Sequence, residues 1–259
     1  MYPILFEYKN ITIQTYILFL ILGILSGFFV LYLNIKNLDK FKKNKIFFLA
    51  IVIFIPFIIG AKLGYLFELF IIKKFFMFDI FNTSFSLIWG LIFSTLFAFC
   101  ISNIIKLNVW ETGDFYAISI SIGGFFIRLG CLFNGCCFGI PAPDYFPFAI
   151  FFPYGTYAHQ IYCDKPLYPT QLYLSLVWLF IFIFLLIYNK SKHFDGELII
   201  IMFMIYSFFN FFIEFYRFHI EKQHLIISQI LNLFIFFTAI LLFLYRIKKH
   251  LLSNKKLTK

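Results

Sequence analysis

The feature that most limits the fold of this chain is a series of long apolar stretches, each of which could cross a lipid bilayer as a helix. A hydrocarbon core about 30 Å thick needs roughly 20 apolar residues of helix. Stretches close to this length run over residues 15–33, 46–67, 87–105, 115–133, 172–188, 198–216 and 225–245. The sequence therefore predicts an all-α, polytopic membrane protein with about seven transmembrane helices.

The composition excludes a soluble domain as the source of this pattern. The chain is 62% hydrophobic and only 13% charged, whereas about a quarter of the residues in soluble domains are charged. The net charge of +10 could suggest a nucleic-acid partner, but lysines beside apolar stretches are explained by orientation in the bilayer. We expect the lipid bilayer and no nucleic acid as a partner, and a single integral domain over residues 1–259.

The basic residues outside the apolar stretches predict how the chain is oriented. With the N-terminus outside, the inner segments carry 14 lysines and arginines and the outer segments carry 5. The positive-inside rule therefore favours an N-out, C-in topology. This topology places the long loop of residues 134–168 on the outer face. The apolar segment 75–85 is expected to lie in the membrane interface or to re-enter the membrane.

Three basic residues are left out of this count, Lys62, Arg128 and Arg217, and two acids, Glu68 and Glu214, lie at comparable depth. An ionisable group inside a bilayer costs at least a few kcal/mol unless it is paired or faces water, so each is a functional candidate. Glu68 and Arg217 lie near span ends and could reach the interface, and Glu214 could be a structural partner of Arg128 or Lys62. Arg128 is the strongest candidate, because three nearby glycines would let another backbone or a ligand approach closely.

Three cysteines follow Arg128 at positions 131, 136 and 137. Structural zinc sites usually show C-x2-C pairs, and redox sites prefer C-x-x-C. Neither spacing is present here, so the sequence predicts no metal site and favours small side chains that fill a tight helix end, together with one disulfide; metal binding is the less favoured alternative. Histidines at positions 159, 219 and 224 fall on outer segments, where we expect them to be solvated.

Five segments carry a resemblance to a known family, in the order that the family has them. The longest is RLGCLFNGCCFGIP at residues 128–141. The other four are GAKLGY at 60–65, WGLI at 89–92, PTQLY at 169–173 and YSFFNFFIEFYR at 206–217. Each is similar to a motif of the prolipoprotein diacylglyceryl transferases. The resemblance covers nearly the whole chain.

This resemblance implies a seven-span enzyme of the bacterial cytoplasmic (inner) membrane with its active site toward the outer face. It implies transfer of a diacylglyceryl group from phosphatidylglycerol to the lipobox cysteine thiol of prolipoproteins, so that phosphatidylglycerol and prolipoprotein signal peptides are the expected partners and no cofactor is needed. Arg128 and Glu214 are the expected catalytic residues, and Arg128 is also expected to bind substrate. The other expected substrate-binding residues are Lys62, Asn134, Gly135, Gly139, Gln171, Asn210 and Arg217.

The chain also departs from the family motifs. Ile88 stands where members carry a histidine, Cys131 replaces an asparagine and Cys136 replaces a glutamate. Asn210 replaces an arginine, and Lys62 stands in place of an arginine. These changes leave two alternatives open: a paralogue that transfers another lipid group or uses another acceptor, and a non-catalytic lipid-binding or transport protein.

Overall fold

A computed structural model describes residues 3–8, 11–73, 86–219 and 222–257, and this part of the chain is mostly helical. A short antiparallel β-hairpin comes first, made of β1 (Ile4–Tyr8) and β2 (Ile11–Gln14). The α-helices of the described residues are α1 (Thr15–Ile35), α2 (Lys40–Val52), α3 (Phe54–Lys73), α4 (Leu87–Ile104), α5 (Val109–Asn134), α6 (Tyr157–Tyr162), α7 (Thr170–Tyr188), α8 (Glu197–Glu214) and α9 (Lys222–Leu257).

Each of the seven predicted spans falls on helical structure, and the all-α polytopic membrane fold is confirmed. Six helical stretches are long and apolar enough to cross a membrane, and Trp89–Ile104 of α4 is a shorter apolar helix. The second predicted span is two helices, α2 and α3, which meet at Ile53. The N-terminal hairpin was not predicted, and the apolar segment 75–85 lies outside the described residues.

The helices differ in how much of their surface the protein covers. In α5 and in α8, 50% of an apolar stretch of 18 residues is buried inside the protein. In α1 and in α9, only 11% of such a stretch is buried. An apolar helix that stays exposed in a folded chain is suited to contact with lipid. The interior helices α5 and α8 are therefore the ones that can place polar side chains away from lipid.

The chain divides into two compact units, one made of Met1–Asn34 with Asp114–Lys259 and the other of Ile35–Gly113. In the smaller unit α3 packs closely on α4 at Gly64. A Cβ atom there would lie only 2.0 Å from Trp89 Cγ, so a larger residue would not fit. Lys42 at the start of α2 forms an ion pair with Glu111, at 2.8 Å. The expectation of a single domain over the whole chain stays a prediction.

In the larger unit, two of the glycines that precede Arg128 serve helix packing. A Cβ atom on Gly23 of α1 would lie 3.0 Å from the carbonyl oxygen of Gly123, so the two backbones approach as small residues allow. Gly124 leaves room for Trp178 of α7, whose ring stacks on Tyr206 of α8 at 4.6 Å. These contacts hold α5 against α1, α7 and α8.

A buried carboxylate that the sequence analysis did not single out joins α5 to the start of α8. Asp114 Oδ1 accepts hydrogen bonds from the backbone N–H groups of Leu198 and Ile199, at 2.9 and 3.2 Å, and Oδ2 accepts one from Gly196 at 2.8 Å. Lys192 Nζ lies 3.3 Å from the same carboxylate. Asp114 therefore satisfies the free N–H groups at the N-terminus of α8 and fixes the position of this helix against α5.

Candidate active site

A tight turn follows α5 and determines where its polar side chains lie. Gly135 has a φ of +69°, and a Cβ atom there would be 2.6 Å from Thr156 Cβ, so both the conformation and the space require glycine. Cys137 also has a positive φ, +57°, although it carries a side chain. A residue with a side chain keeps this conformation only where its surroundings enforce it.

The start of α7 holds this turn from the other side. Gln171 Nε2 donates a hydrogen bond to the carbonyl oxygen of Cys136 at 2.8 Å, and Thr170 Oγ1 donates one to that of Cys137 at 2.9 Å. Both α7 side chains are fully buried. Gln171 Oε1 is buried and has no hydrogen-bond partner among the described residues, so it can still accept one from a ligand. The predicted role of Gln171 in substrate binding stays a prediction.

Close backbone pairing brings Arg217 beside this turn. Gly139 and Arg217 form an antiparallel bridge, and the Ile140 N–H donates to the carbonyl oxygen of Tyr216 at 2.9 Å. A Cβ atom on Gly139 would lie 2.4 Å from the carbonyl oxygen of Tyr168. Glycine at 139 is therefore needed for the main chains to meet, and this contact positions the segment after α8.

One face of α8 carries three buried polar side chains, Tyr206, Asn210 and Glu214, spaced by four residues. Asn210 Nδ2 donates a hydrogen bond to Asn232 Oδ1 of α9 at 3.1 Å. The buried Oδ1 of Asn210 has no partner in the part of the chain that the structure describes. Asn210 is thus held in place by α9, and its predicted role in substrate binding stays a prediction.

Glu214 has two basic neighbours at the end of α8. Arg217 Nη1 donates a hydrogen bond to Glu214 Oε1 at 2.8 Å. His219 Nε2 lies 2.8 Å from Glu214 Oε2, near enough for an ion pair although the two groups are not aligned as a hydrogen bond. The described residues include no ion pair between Glu214 and Arg128, so the structural pairing that the sequence left open is not formed.

His219 is a candidate site residue that the sequence analysis missed. Its side chain is only 15% exposed, whereas a solvated position on an outer segment was expected. A sequence signal was present, because His219 follows Arg217 by two residues, and in extended backbone such residues point to the same side. Its Nδ1 has no hydrogen-bond partner among the described residues.

Arg128 is buried on α5 without an acidic partner. The whole residue is 7% exposed, and its guanidinium interacts with the Tyr206 side chain and with the like charge of Arg217. Over residues 3–8, 11–73, 86–219 and 222–257 no carboxylate forms an ion pair with it. A buried charge left uncompensated costs several kcal/mol, so this arrangement favours a bound anion.

The turn after α5 brings together the thiols of three cysteines that lie within seven residues of one another. The sulfur atoms of Cys131, Cys136 and Cys137 all lie within 4.8 Å of one another. Side-chain hydrogen bonds from Cys131 and Cys136 hold the pKa of the Cys137 thiol well below its usual range, and the Arg217 guanidinium adds to this effect against burial. We expected no metal site because the spacing of the cysteines along the chain matches no common zinc motif. Since the three sulfur atoms lie close together in the folded chain, this spacing is no longer an argument against a metal site.

Most of the predicted site residues surround the turn after α5: Arg128, Asn134, Gly135, Gly139, Gln171, Glu214 and Arg217. The half-buried side chain of Asn134 makes no hydrogen bond to another described residue. Lys62 is half-buried on α3, in the smaller unit, and its role stays a prediction. The side chain of Ile88 is outside the described part of the chain.

Comparison with known proteins shows the family of this chain. The family described as prolipoprotein diacylglyceryl transferase matches residues 3–245. Among curated proteins named phosphatidylglycerol–prolipoprotein diacylglyceryl transferase, that of Campylobacter curvus is 29% identical over 96% of this chain and 95% of its own length. The enzyme of Clostridium tetani is 28% identical over 84% and 86%. Enzyme 2 of Clostridium perfringens is 33% identical, but the match spans only 53% of each chain. The chain therefore belongs to the prolipoprotein diacylglyceryl transferase family.

Proposed function

We propose that this protein transfers a diacylglyceryl group from phosphatidylglycerol to the lipobox cysteine thiol of prolipoproteins. The observation that carries the proposal is the buried Arg128 guanidinium, which has no acidic partner in the described structure and lies near Arg217. Two guanidinium groups with one carboxylate, that of Glu214 paired with Arg217, form a positive site, and a phosphodiester would neutralise it.

In this reaction negative charge develops on the phosphate oxygens of the leaving group, where guanidinium groups can stabilise it. The thiolate sulfur attacks the glyceryl carbon next to the phosphodiester, so that a carbon–sulfur bond forms and a carbon–oxygen bond breaks. Glycerol phosphate leaves with the bonding electrons, and its oxygens gain negative charge. A planar guanidinium can donate two parallel hydrogen bonds to such oxygens. Arg128 is assigned this role, and Glu214 fixes the orientation of Arg217 at 2.8 Å.

The thiol must also lose its proton, and the pair of Glu214 and His219 supplies a candidate acceptor. With its proton on Nε2, which lies 2.8 Å from the Glu214 carboxylate, the neutral imidazole has its lone pair on Nδ1. A carboxylate that orients a histidine in this way is a common arrangement for general bases. His219 would thus replace the family histidine that is absent at Ile88.

The remaining predicted residues have positioning roles in this proposal. Asn134 and the main chain around Gly135 and Gly139 border the turn, where amide groups can bind the glycerol headgroup. The side-chain oxygens of Gln171 and Asn210, which have no hydrogen-bond partner among the described residues, can accept from hydroxyl or peptide N–H groups. Lys62, in the smaller unit, carries a single ammonium rather than a bidentate guanidinium, and its role in substrate binding is kept from the family motif alone.

The experiment that tests the function is a transfer assay with the purified protein in detergent or liposomes. Phosphatidylglycerol labelled in its acyl chains should pass its label to a lipobox peptide, and a peptide with serine in place of cysteine should stay unlabelled. No transfer to the cysteine peptide by a folded protein would contradict the proposal. Transfer only from another labelled phospholipid, or only to another thiol, would favour the divergent paralogue.

The protein is a multi-pass membrane protein, and we place it in the bacterial cytoplasmic membrane with its site toward the outer face. The distribution of basic residues, 14 inside and 5 outside, supports this orientation. A reporter that folds only in an oxidising exterior should be active when inserted after Asp144 and silent at the C-terminus. The reverse pattern would refute both the orientation and the exposure of the site to exported substrates.

A further inference from the structure

We propose that Cys131, Cys136 and Cys137 form a three-thiolate site for one zinc ion, and that the fourth coordination position of the zinc receives the acceptor thiol. The first half of this proposal stands on the geometry of the cysteines. The second half rests on the proposed function, since it requires that a thiol is the group to be modified.

The distances suit zinc. Tetrahedral zinc with zinc–sulfur bonds of about 2.3 Å holds its sulfur ligands about 3.8 Å apart. The three sulfur atoms lie within 4.8 Å of one another, so they need to move together by at most about 1 Å. A disulfide would need a much closer approach, about 2.05 Å, and all five cysteines of the structure are free thiols.

The backbone that carries these thiols is fixed before any metal binds. Cys131 belongs to the last turn of α5, and the Cys136 N–H donates to its carbonyl oxygen at 3.2 Å. The carbonyl groups of Cys136 and Cys137 are bound by Gln171 and Thr170. Preorganised ligands of this kind, held by buried neighbours, are typical of metal sites.

The charges around the cluster also agree with a bound zinc thiolate. Zinc with three thiolates has a net charge of −1, and the guanidinium groups of Arg217 and Arg128 interact with Cys137 from nearby. These two cations would oppose a bare metal ion, but they stabilise an anionic complex. The site is therefore suited to a metal that all three thiolates bind together.

The number of ligands points to a reactive zinc rather than a structural one. Structural zinc sites have four protein ligands, whereas catalytic sites have three and leave one position open. In the described part of the chain no histidine or carboxylate joins the three cysteines as a fourth ligand. A thiol that coordinates zinc is deprotonated, so the open position would hold an acceptor cysteine as its thiolate, and the proton it loses would pass to the His219 imidazole proposed above as its acceptor. Gln171 Oε1, next to Cys136 and without a described partner, can accept a hydrogen bond from the acceptor peptide.

Metal analysis of the purified protein tests the site. We expect about one zinc per chain, and a loss of zinc affinity of roughly tenfold or more in Cys131→Ser, Cys136→Ser and Cys137→Ser. Cys163→Ser is the matched control, because Cys163 is exposed and outside the cluster, and it should keep its zinc. Protein that binds no zinc when zinc is supplied, or that contains a disulfide between two of the three cysteines when isolated without reductant, would overturn the proposal.

Cobalt substitution tests the open position. Cobalt(II) in the zinc-depleted protein should show sulfur-to-metal charge-transfer bands of three thiolates, and a lipobox peptide should increase their intensity by about a third, as a fourth sulfur joins. A peptide with serine in place of cysteine should leave the spectrum unchanged. An unchanged spectrum with the cysteine peptide would overturn the acceptor role. This readout does not depend on turnover, so an absence of transfer would count against the proposed function and leave the metal site standing.

Discussion

Replacing Arg128 by lysine is expected to lower the rate of diacylglyceryl transfer by about ten- to a hundredfold, and replacing it by alanine is expected to abolish transfer. Lysine exchanges a planar pair of donors for one ammonium group. Each charge-assisted hydrogen bond to phosphate contributes about 1.5–3 kcal/mol, which corresponds to that range of rates when one bond is lost. The measurement is transfer of labelled diacylglyceryl to a lipobox peptide.

Arg246 provides the matched control for this prediction. It is also a partly buried arginine, and its Nη2 donates to the carbonyl oxygen of Asp195, just before α8 begins. The 18 residues of α8 place this contact about 27 Å along the helix from Glu214. Arg246→Lys should therefore keep its transfer rate. Full transfer by a stably folded Arg128→Ala protein, judged by its Tm in detergent, would remove the central residue of the proposal.

The fold could be predicted from the sequence to the extent that bilayer thickness determines helix length. Each predicted span became helical for this reason. The division of the second span at Ile53 was missed, although Pro56 in the first turn of α3 signals it. Proline has no N–H to continue the hydrogen bonds of α2, but it is tolerated in the first turn of a new helix.

The site was predictable where family motifs name the residues, and less so where distant segments meet. The motifs named Arg128, Glu214 and Arg217 as candidates, whose roles stay predictions, whereas the family assignment is confirmed. They could not show that Asn210 pairs with Asn232, because that partner lies on the next helix. The cysteine cluster was missed because ligand spacing rules describe common loops, whereas here a helix end and a strained turn bring the sulfur atoms together.

His219→Ala is expected to lower transfer at pH 7 by roughly a hundredfold to ten-thousandfold, the usual contribution of a general base. The loss should shrink as the pH rises towards about 8.5, where a peptide thiol ionises without assistance. A histidine with only a structural role would give a loss that does not depend on pH. The measurement is the transfer rate of the variant and of the unmutated protein between pH 6.5 and 9.

The control for His219 is His159, because the two side chains are similarly buried but differ in the carboxylate beside them and in Nδ1, which in His159 lies 3.2 Å from the carbonyl oxygen of Phe152. Their side chains are 18% exposed for His159 and 15% for His219, and each lies near an acid. The acid beside His159 is Asp164, 96% exposed and 3.9 Å away, whereas Glu214 is 2% exposed and 2.8 Å from His219. An exposed carboxylate at that distance orients a histidine weakly, so His159→Ala should keep its rate and its pH profile. Equal losses in the two variants would mean that the Glu214 and His219 pair has no special part in removing the thiol proton.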